Sequence, residues 1–244
     1  MTTPPVELSL IVPAYNEQQL IAANLETLVQ FLQVRFKSYE ILLVDDGSTD
    51  DSANVVRRLS EARPNVRLLE QGTNQGKGRA IQRGVLESRG EYILFMDADL
   101  PYDLAAVDVF MAALRSKYDL VIGSRHMQGS RIRGVPMLRY FSGQVFSLLV
   151  AVLMFPGVRD TQCGLKGFRA EAARQIFKRV SISKFGFDVE ALFIARKRKY
   201  AILPIPVQMT GFRSESRVRL LQDSSRMFLD LFTIRWNDLR GKYD

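Results

Sequence analysis

The chain has 244 residues, 47% hydrophobic and 25% charged, and carries a net charge of +8 from 34 basic and 26 acidic side chains. That length supports one sizeable core, or one domain with appendages. The single cysteine, Cys163, excludes an internal disulfide framework and fits a reducing compartment. The positive balance points to anionic partners: phosphorylated substrates, acidic lipids or nucleic acid. The opening Met1-Thr-Thr-Pro-Pro5 lacks a basic stretch followed by an apolar run, so no signal peptide is expected. The longest apolar candidate, Val145 to Phe155, is too short for a membrane span.

In chain order, Leu8-Ser-Leu-Ile-Val-Pro-Ala14 reads as a short apolar strand. It leads through Tyr15-Asn16-Glu17 into an amphipathic helix with Leu20, Ile21, Leu25, Leu28, Val29 and Leu32 at helical spacing, and Asn16 is the expected N-cap. A second strand, Glu40 to Asp45, ends in Asp45-Asp46-Gly47-Ser48, and a helix follows from 51 to 62. Val66 to Glu70 is a third strand. Gly76-Lys77-Gly78 then opens a helix to Ser88. It is either a phosphate-binding turn, with Lys77 and backbone N–H groups facing an anion, or a plain helix-opening turn. Tyr92 to Met96 is a fourth strand. It ends in Asp97-Ala98-Asp99, which alternation would point to one face. Two such carboxylates suit a hard divalent cation shared with phosphates; the plain alternative is an acidic loop before the next helix, with Asp103 as its cap.

That helix runs to Lys117, and a strand from Asp119 to Gly123 ends at Ser124-Arg125-His126. Arg125 there is either a phosphate fork or a surface ion-pair partner. A basic, polar stretch with Arg131 and Arg133 precedes an apolar helix from 137 to 155, expected either under the sheet or partly in a membrane interface. Asp160 to Phe168 reads as a polar, glycine-rich loop. Helices from 170 and 187 follow, the second ending in the basic run Arg196 to Lys199. Leu203 to Val207, with its two prolines, reads as an edge strand. From Arg213 onwards, arginines alternate with large apolar residues. Leu220, Met227, Leu231 and Ile234 share a face, with Phe228 and Phe232 beside them. Such a helix lies on a membrane surface or packs on the domain or another subunit.

Strand–helix repetition predicts an α/β fold with a mostly parallel sheet covered on both faces. Three strands end in polar clusters, and in such a sheet those ends lie along one edge, where ligands bind.

Val12-Pro-Ala-Tyr-Asn-Glu17, Val44-Asp-Asp-Gly-Ser48, Asn74-Gln-Gly-Lys-Gly78, Asp97-Ala-Asp99 and Gly123-Ser-Arg125 together resemble family 2 glycosyltransferases of the GT-A fold. Arg159 to Gly164, Phe187-Asp-Val-Glu190 and the basic tail are similar to dolichyl-phosphate glucosyltransferases and polyprenyl-phosphate sugar transferases. The resemblance implies a three-layer α/β/α catalytic domain over 1–212 and a C-terminal amphipathic helical tail over 213–244. It implies a metal-dependent hexosyltransferase, with Mg²⁺ or Mn²⁺ at Asp97 and Asp99. Pro13, Tyr15, Glu17, Asp45, Asp46, Lys77, Asp97, Ala98 and Asp99 match the nucleotide-sugar side. Arg125, with Arg131 or Arg133, matches the acceptor-phosphate side. Asp160 is the candidate base for an alcohol acceptor or, with a phosphate acceptor, an orienting group. Pro101 stands where related mannose synthases often carry Gln, which weakens the mannose reading and removes one possible metal ligand; the resemblance to the glucosyltransferases implies glucose from UDP-glucose. The implied partners are a nucleotide-diphosphate sugar, a polyprenyl phosphate and a membrane surface met peripherally from the cytoplasmic side. A homo-oligomer stays open, and no nucleic acid is expected. The competing enzyme class is a sugar nucleotidyltransferase, which would release pyrophosphate.

Overall fold

The computed structural model describes residues 5–131, 160–210 and 220–244, with positions 146, 147, 149, 150 and 154 between them. In chain order the elements are β1 (Leu8–Ala14), α1 (Ile21–Gln33), β2 (Tyr39–Asp45), α2 (Ser52–Glu61), β3 (Val66–Glu70), α3 (Lys77–Glu87), β4 (Tyr92–Phe95), α4 (Ala106–Ser116), β5 (Leu120–Ser124), β6 (Lys166–Arg169), α5 (Ala170–Phe177), α6 (Phe187–Lys197), β7 (Ile202–Pro206) and α7 (Leu220–Leu239). They form one seven-stranded sheet in the order β3-β2-β1-β4-β6-β5-β7.

Strand alternation sends the sheet's side chains into two cores. Leu8, Leu10, Val12, Ile41 and Leu43 pack against α1, α2 and α4. Ile11, Leu42, Val44, Ile93 and Phe95 pack against α3, α5, α6 and α7. Both faces are covered, which is why these strands read as nearly continuous apolar runs. β1 is parallel to β2 and β4, and β2 to β3. Chain order therefore reverses between β1 and β4. In an open α/β sheet that reversal opens a crevice at the carboxyl ends of the strands, here beside Tyr15 and Asp97.

The second half departs from the simple repeat. The stretch expected as loop contains β6, which runs antiparallel between β4 and β5. Its first residue, Lys166, is fully buried and bound to Asp188 at 2.5 Å. A buried lysine breaks the apolar signal, so the strand is invisible to alternation alone. β7 takes the edge beside β5, where its prolines cost no ladder bond.

Asn16 is not the N-cap. Helix α1 starts at Ile21 without a side-chain cap. Asn16 instead takes a left-handed φ of 54°, and its Oδ1 accepts from the Thr49 and Asp50 N–H groups, tying the β1 exit to the β2 exit. Of the apolar stretch 137–155, Val150 and Met154 are buried, with Phe146 and Leu149 packed against the same core. Ser147 is partly buried, and the rest of the stretch, with Arg133, lies outside the described residues. The tail packs back: Leu231, Ile234 and Tyr243 are buried in the α6 side of the core. Full burial of such apolar side chains contributes about 1.5–3 kcal/mol each, enough to hold the helix in place.

Candidate active site

The β2 exit supplies two carboxylates with different surroundings. Asp45 is buried; its Oδ2 accepts from the Ser48 N–H at 3.0 Å, while Oδ1 has no hydrogen-bond partner among the described residues. A buried acceptor without a donor costs about 1–3 kcal/mol, so it marks a place for a ligand's N–H or O–H. Asp46 accepts from Gln71 Nε2 at 2.6 Å and from the backbone N–H groups of Gln75 and Gly76 at 2.8 and 2.9 Å. Burial raises its pKa and those bonds oppose the rise. Asp46 thus anchors the loop that leads into α3, rather than presenting oxygens to the crevice. Between this loop and the β2 exit, Gly47 has φ +71°, and a Cβ there would lie 2.4 Å from the Thr73 carbonyl carbon. No larger residue fits that approach.

The glycines of Gly76-Lys77-Gly78 also answer to packing. A Cβ on Gly76 would sit 2.5 Å from Ser183 O, and one on Gly78 would meet Ile182 O and Phe187 at 2.7 Å. The Gly76 N–H is bound to Asp46, so it is not part of an open phosphate cradle. Lys77 reaches the crevice through its side chain, which forms an ion pair with Asp97. Burial alone would lower the Lys77 pKa; the carboxylates of Asp97, Asp188 and Asp99 outweigh it and raise it.

Asp97 and Asp99 come together, but not by strand alternation. β4 ends at Phe95, and a turn follows, closed by the Leu100 N–H on Asp97 O at 3.1 Å with Leu100 at φ 47°. A left-handed leucine is strained backbone, of the kind that persists where surrounding structure enforces a geometry. The Ala98 side chain turns into the core and its carbonyl accepts from Asn24 Nδ2 at 2.7 Å, so its methyl is not on the ligand face. Asp99 stands at the exposed mouth. Loss of water around it, then repulsion from Asp97, raises its pKa, with Glu17 adding to the effect. Gly164 flanks Asp97 so closely that a Cβ would lie 2.0 Å from Oδ2. Among the described residues no third His, Cys, Asp or Glu completes a metal cage. Two mutually repelling carboxylates in an open setting fit a hard cation whose remaining ligands are phosphate oxygens or water.

On the far side of β6, Arg125 follows the end of β5. Its Nε and Nη2 donate to Asp160 Oδ2 and Oδ1, each at 2.8 Å, and its backbone N–H donates to Oδ2 at 2.8 Å. Asp160 is 2% exposed and Arg125 28%. Burial would raise the Asp160 pKa, but Arg125 holds it below the usual carboxylate range. Burial also draws the His126 imidazole down, against the opposing pull of Asp160. Pro13, Tyr15 and Glu17 line the β1 exit, partly buried.

Two connections unite these sides. The loop from Asp160 to Gly164 runs from Arg125 to Asp97, and the Gly164 N–H donates to Tyr102 Oη at 3.2 Å. The segment Gln208–Thr210 binds Pro101–Asp103 on one side and Arg131 on the other, through Asp103 N–H to Gln208 O at 3.0 Å and Met209 N–H to Arg131 O at 2.9 Å. Arg131, exposed, is thereby set on the same rim as the exit from Asp99. Sequence reading missed Lys166 and Asp188, which lie beneath the site as a buried ion pair. Lys166 Nζ also donates to Cys163 O at 2.7 Å. Phe187-Asp-Val-Glu190 carries part of the family resemblance, but nothing in its sequence points to a lysine partner 22 residues earlier.

Acidic strand ends at a sheet's switch point, a cation-ready carboxylate pair and an arginine fork across the crevice are the parts of a GT-A glycosyltransferase. The model for glycosyl transferase family 2 matches residues 9–177, and the chain belongs to that family. A dolichyl-phosphate β-glucosyltransferase of Dictyostelium discoideum is 36% identical over 97% of this chain and 76% of its own. The human protein of that name is 32% identical over 99% and 78%. Among solved structures, glucosyl-3-phosphoglycerate synthase of Mycobacterium tuberculosis in complex with UDP has a TM-score of 0.71 at 19% identity, over 94% of this chain and 80% of that one. Its complex with Mn²⁺, UDP-glucose and phosphoglyceric acid gives 0.68 at 17%, over 98% and 80%. That likeness is one of fold. The chain is a hexosyltransferase enzyme, and no helix among its described residues is long and apolar enough to cross a membrane.

Proposed function

We propose that the chain transfers glucose from UDP-glucose to a polyprenyl phosphate of the dolichyl type, inverting the anomeric carbon. The relatives' shared activity supports the sugar and the lipid. The observation that carries the reading here is the Asp160–Gly164 loop, which sets a fixed guanidinium beside the carboxylates that would take the diphosphate.

In this reading Asp45 Oδ1 accepts the nucleobase N–H, and Tyr15, Pro13 and Glu17 border the nucleoside. Asp97 and Asp99 would hold Mg²⁺ or Mn²⁺, which when bound neutralises charge on the diphosphate leaving group. Lys77 turns from Asp97 to a phosphate oxygen. The Nη1 end of Arg125 is not engaged in the fork to Asp160, and it takes the acceptor phosphate together with Arg131. An acceptor phosphate oxygen forms the new bond to the anomeric carbon as the bond to the UDP oxygen breaks, and UDP leaves with that electron pair. A phosphate monoester loses its second proton near pH ~6, so it attacks at pH 7 without a base. Asp160 favours this acceptor over an alcohol. Its oxygens are engaged by Arg125 and its pKa is depressed, so it is a poor proton acceptor and a good orienting group. The acceptor puts the work at a membrane surface, and the single unpaired Cys163 supports its cytoplasmic side.

The test is transfer of labelled sugar from UDP-glucose, GDP-mannose and UDP-N-acetylglucosamine, with and without polyprenyl phosphate in detergent. Lipid-linked label from UDP-glucose, abolished by EDTA, is the expected result. Label from GDP-mannose alone would replace the sugar. Pyrophosphate release would replace the reaction class.

A further inference from the structure

Helix α7 is apolar on two sides, and among the described residues only one of them is covered. Leu231 and Ile234 are buried against the domain. Phe228, Leu229, Phe232, Trp236 and Leu239 are exposed, Trp236 by 60% and Leu239 by 81%. At about 100° per residue these five fall within an arc of roughly 100°, opposite the buried pair. Phe228 and Phe232 are set edge to face at 5.1 Å, so the ridge is organised. A contiguous face of this kind on a soluble surface marks a docking site.

We propose that this face of α7 seats the protein on an anionic lipid surface, and that the seat rests on the lipid-phosphate acceptor inferred above. Three observations favour a bilayer as its occupant. Phenylalanine, leucine and tryptophan on one side of an in-plane helix are the residues that enter the headgroup boundary. Cations border the ridge: Arg226, Arg235 and Arg240 are exposed, and the Arg240 guanidinium lies over the Trp236 ring at 5.8 Å. They match anionic headgroups, in a chain of net charge +8. The third observation is direction. α7 runs alongside α6 in the same sense, with Asp230 against Gly186 at one end and Asp238 on Lys197 at 2.7 Å at the other. The Phe228 end of the ridge is therefore level with the start of α6, where Asp188 stands among Lys166, Lys77 and Asp97. A membrane on this ridge therefore lies off the end of α6 that underlies the crevice. A second copy is disfavoured, because pairing this face with itself would gather the bordering arginines of both copies into one interface.

Trp236 is the chain's only tryptophan, so intrinsic emission reports this face without a label. The experiment adds vesicles of phosphatidylcholine, with or without phosphatidylglycerol, to the full chain and follows emission and co-sedimentation. The expected result is a blue shift and sedimentation with the anionic vesicles, weakened by salt. The double variant Phe228→Ser/Phe232→Ser should lose at least about tenfold in vesicle affinity. Both positions are exposed, so folding and UDP binding should hold. Unchanged emission with anionic vesicles overturns the seat. If in addition the chain is a dimer that the double variant makes monomeric, the face belongs to a second copy. Transfer to lipid phosphate in detergent by a chain that ignores vesicles sinks the seat alone. Vesicle binding without transfer keeps the seat and sinks the acceptor reading.

Discussion

On the nucleotide side, among the described residues, Asp45 keeps a buried oxygen without a partner and Asp97 is covered by Lys77; on the acceptor side, Asp160 is fixed on Arg125 by three hydrogen bonds. The first region holds carboxylates in reserve for a ligand. The second uses its carboxylate to aim a cation. The difference follows from construction. Parallel strands β1, β2 and β4 end at the crevice and release side chains into it. The acceptor side hangs on the antiparallel β6 and the loop before it, where the buried charges are paired, Asp160 with Arg125 and Lys166 with Asp188, while Thr161 Oγ1 and Gln162 Nε2 lack a partner among the described residues.

The comparison breaks most visibly at Asp97 and Asp99. Asn at either position should lower transfer on the order of 10³-fold, with unfolding midpoints close to the parent, since metal stabilisation of a leaving group is worth several kcal/mol. Urea denaturation alongside the transfer assay separates this from misfolding. Full activity in either variant would remove the cation from the nucleotide side.

Next in size is the ion pair beneath both regions. Asp188→Asn leaves Lys166 buried without its counter-charge and should cost about 3–5 kcal/mol in urea unfolding. Lys166→Met/Asp188→Leu should recover most of that loss, because the pair is replaced by apolar volume. A single variant as stable as the parent would show that Lys166 escapes to water.

Asp160→Asn should lower kcat/KM for the lipid phosphate about 10–100-fold while UDP affinity stays unchanged. The pair also has a pH signature. The Asp160 pKa is depressed below its ordinary value of 3.8 in the folded chain. Its contribution to stability is therefore present above that value and lost as pH falls through the folded one. The gap in urea midpoint between parent and Asp160→Asn should be flat at neutral pH and close only below roughly pH 4. A gap that closes nearer pH 6 would mean that another group carries it.

The smallest effect is the most diagnostic of a carboxylate in reserve. Lys77→Gln should tighten Mn²⁺ binding in the absence of nucleotide by a few-fold, because the resident cation is gone, and weaken UDP binding. Electron paramagnetic resonance of free Mn²⁺ reads the first and calorimetry the second. Loosened Mn²⁺ binding would contradict a competing lysine.

Legibility in the sequence divides along the same line. β1, β2, β4 and β5 show as nearly continuous apolar runs, because both faces of those strands are buried. The edge position of β7 shows in its prolines. What alternation cannot display is polar material buried by pairing. Lys166 reads as a loop residue until Asp188 is seen on it, and Asp46 reads like Asp45 until Gln71, Gln75 and Gly76 are seen to bind it. Asn16 fits the composition of a cap, but also the left-handed geometry that it adopts, and sequence does not choose between them. Asp97 and Asp99 were legible as a pair for a reason that proved partly wrong: a turn at Leu100, not the strand's period, brings them together.

The division of labour is tested most directly by calorimetric titration of UDP with Mn²⁺ into the parent, Asp97→Asn and Asp160→Asn. The expected result is that Asp97→Asn loses metal-dependent UDP binding, while Asp160→Asn binds UDP like the parent and fails only with the lipid phosphate. Equal loss of UDP binding in both variants would contradict it, and would make the two sides one site.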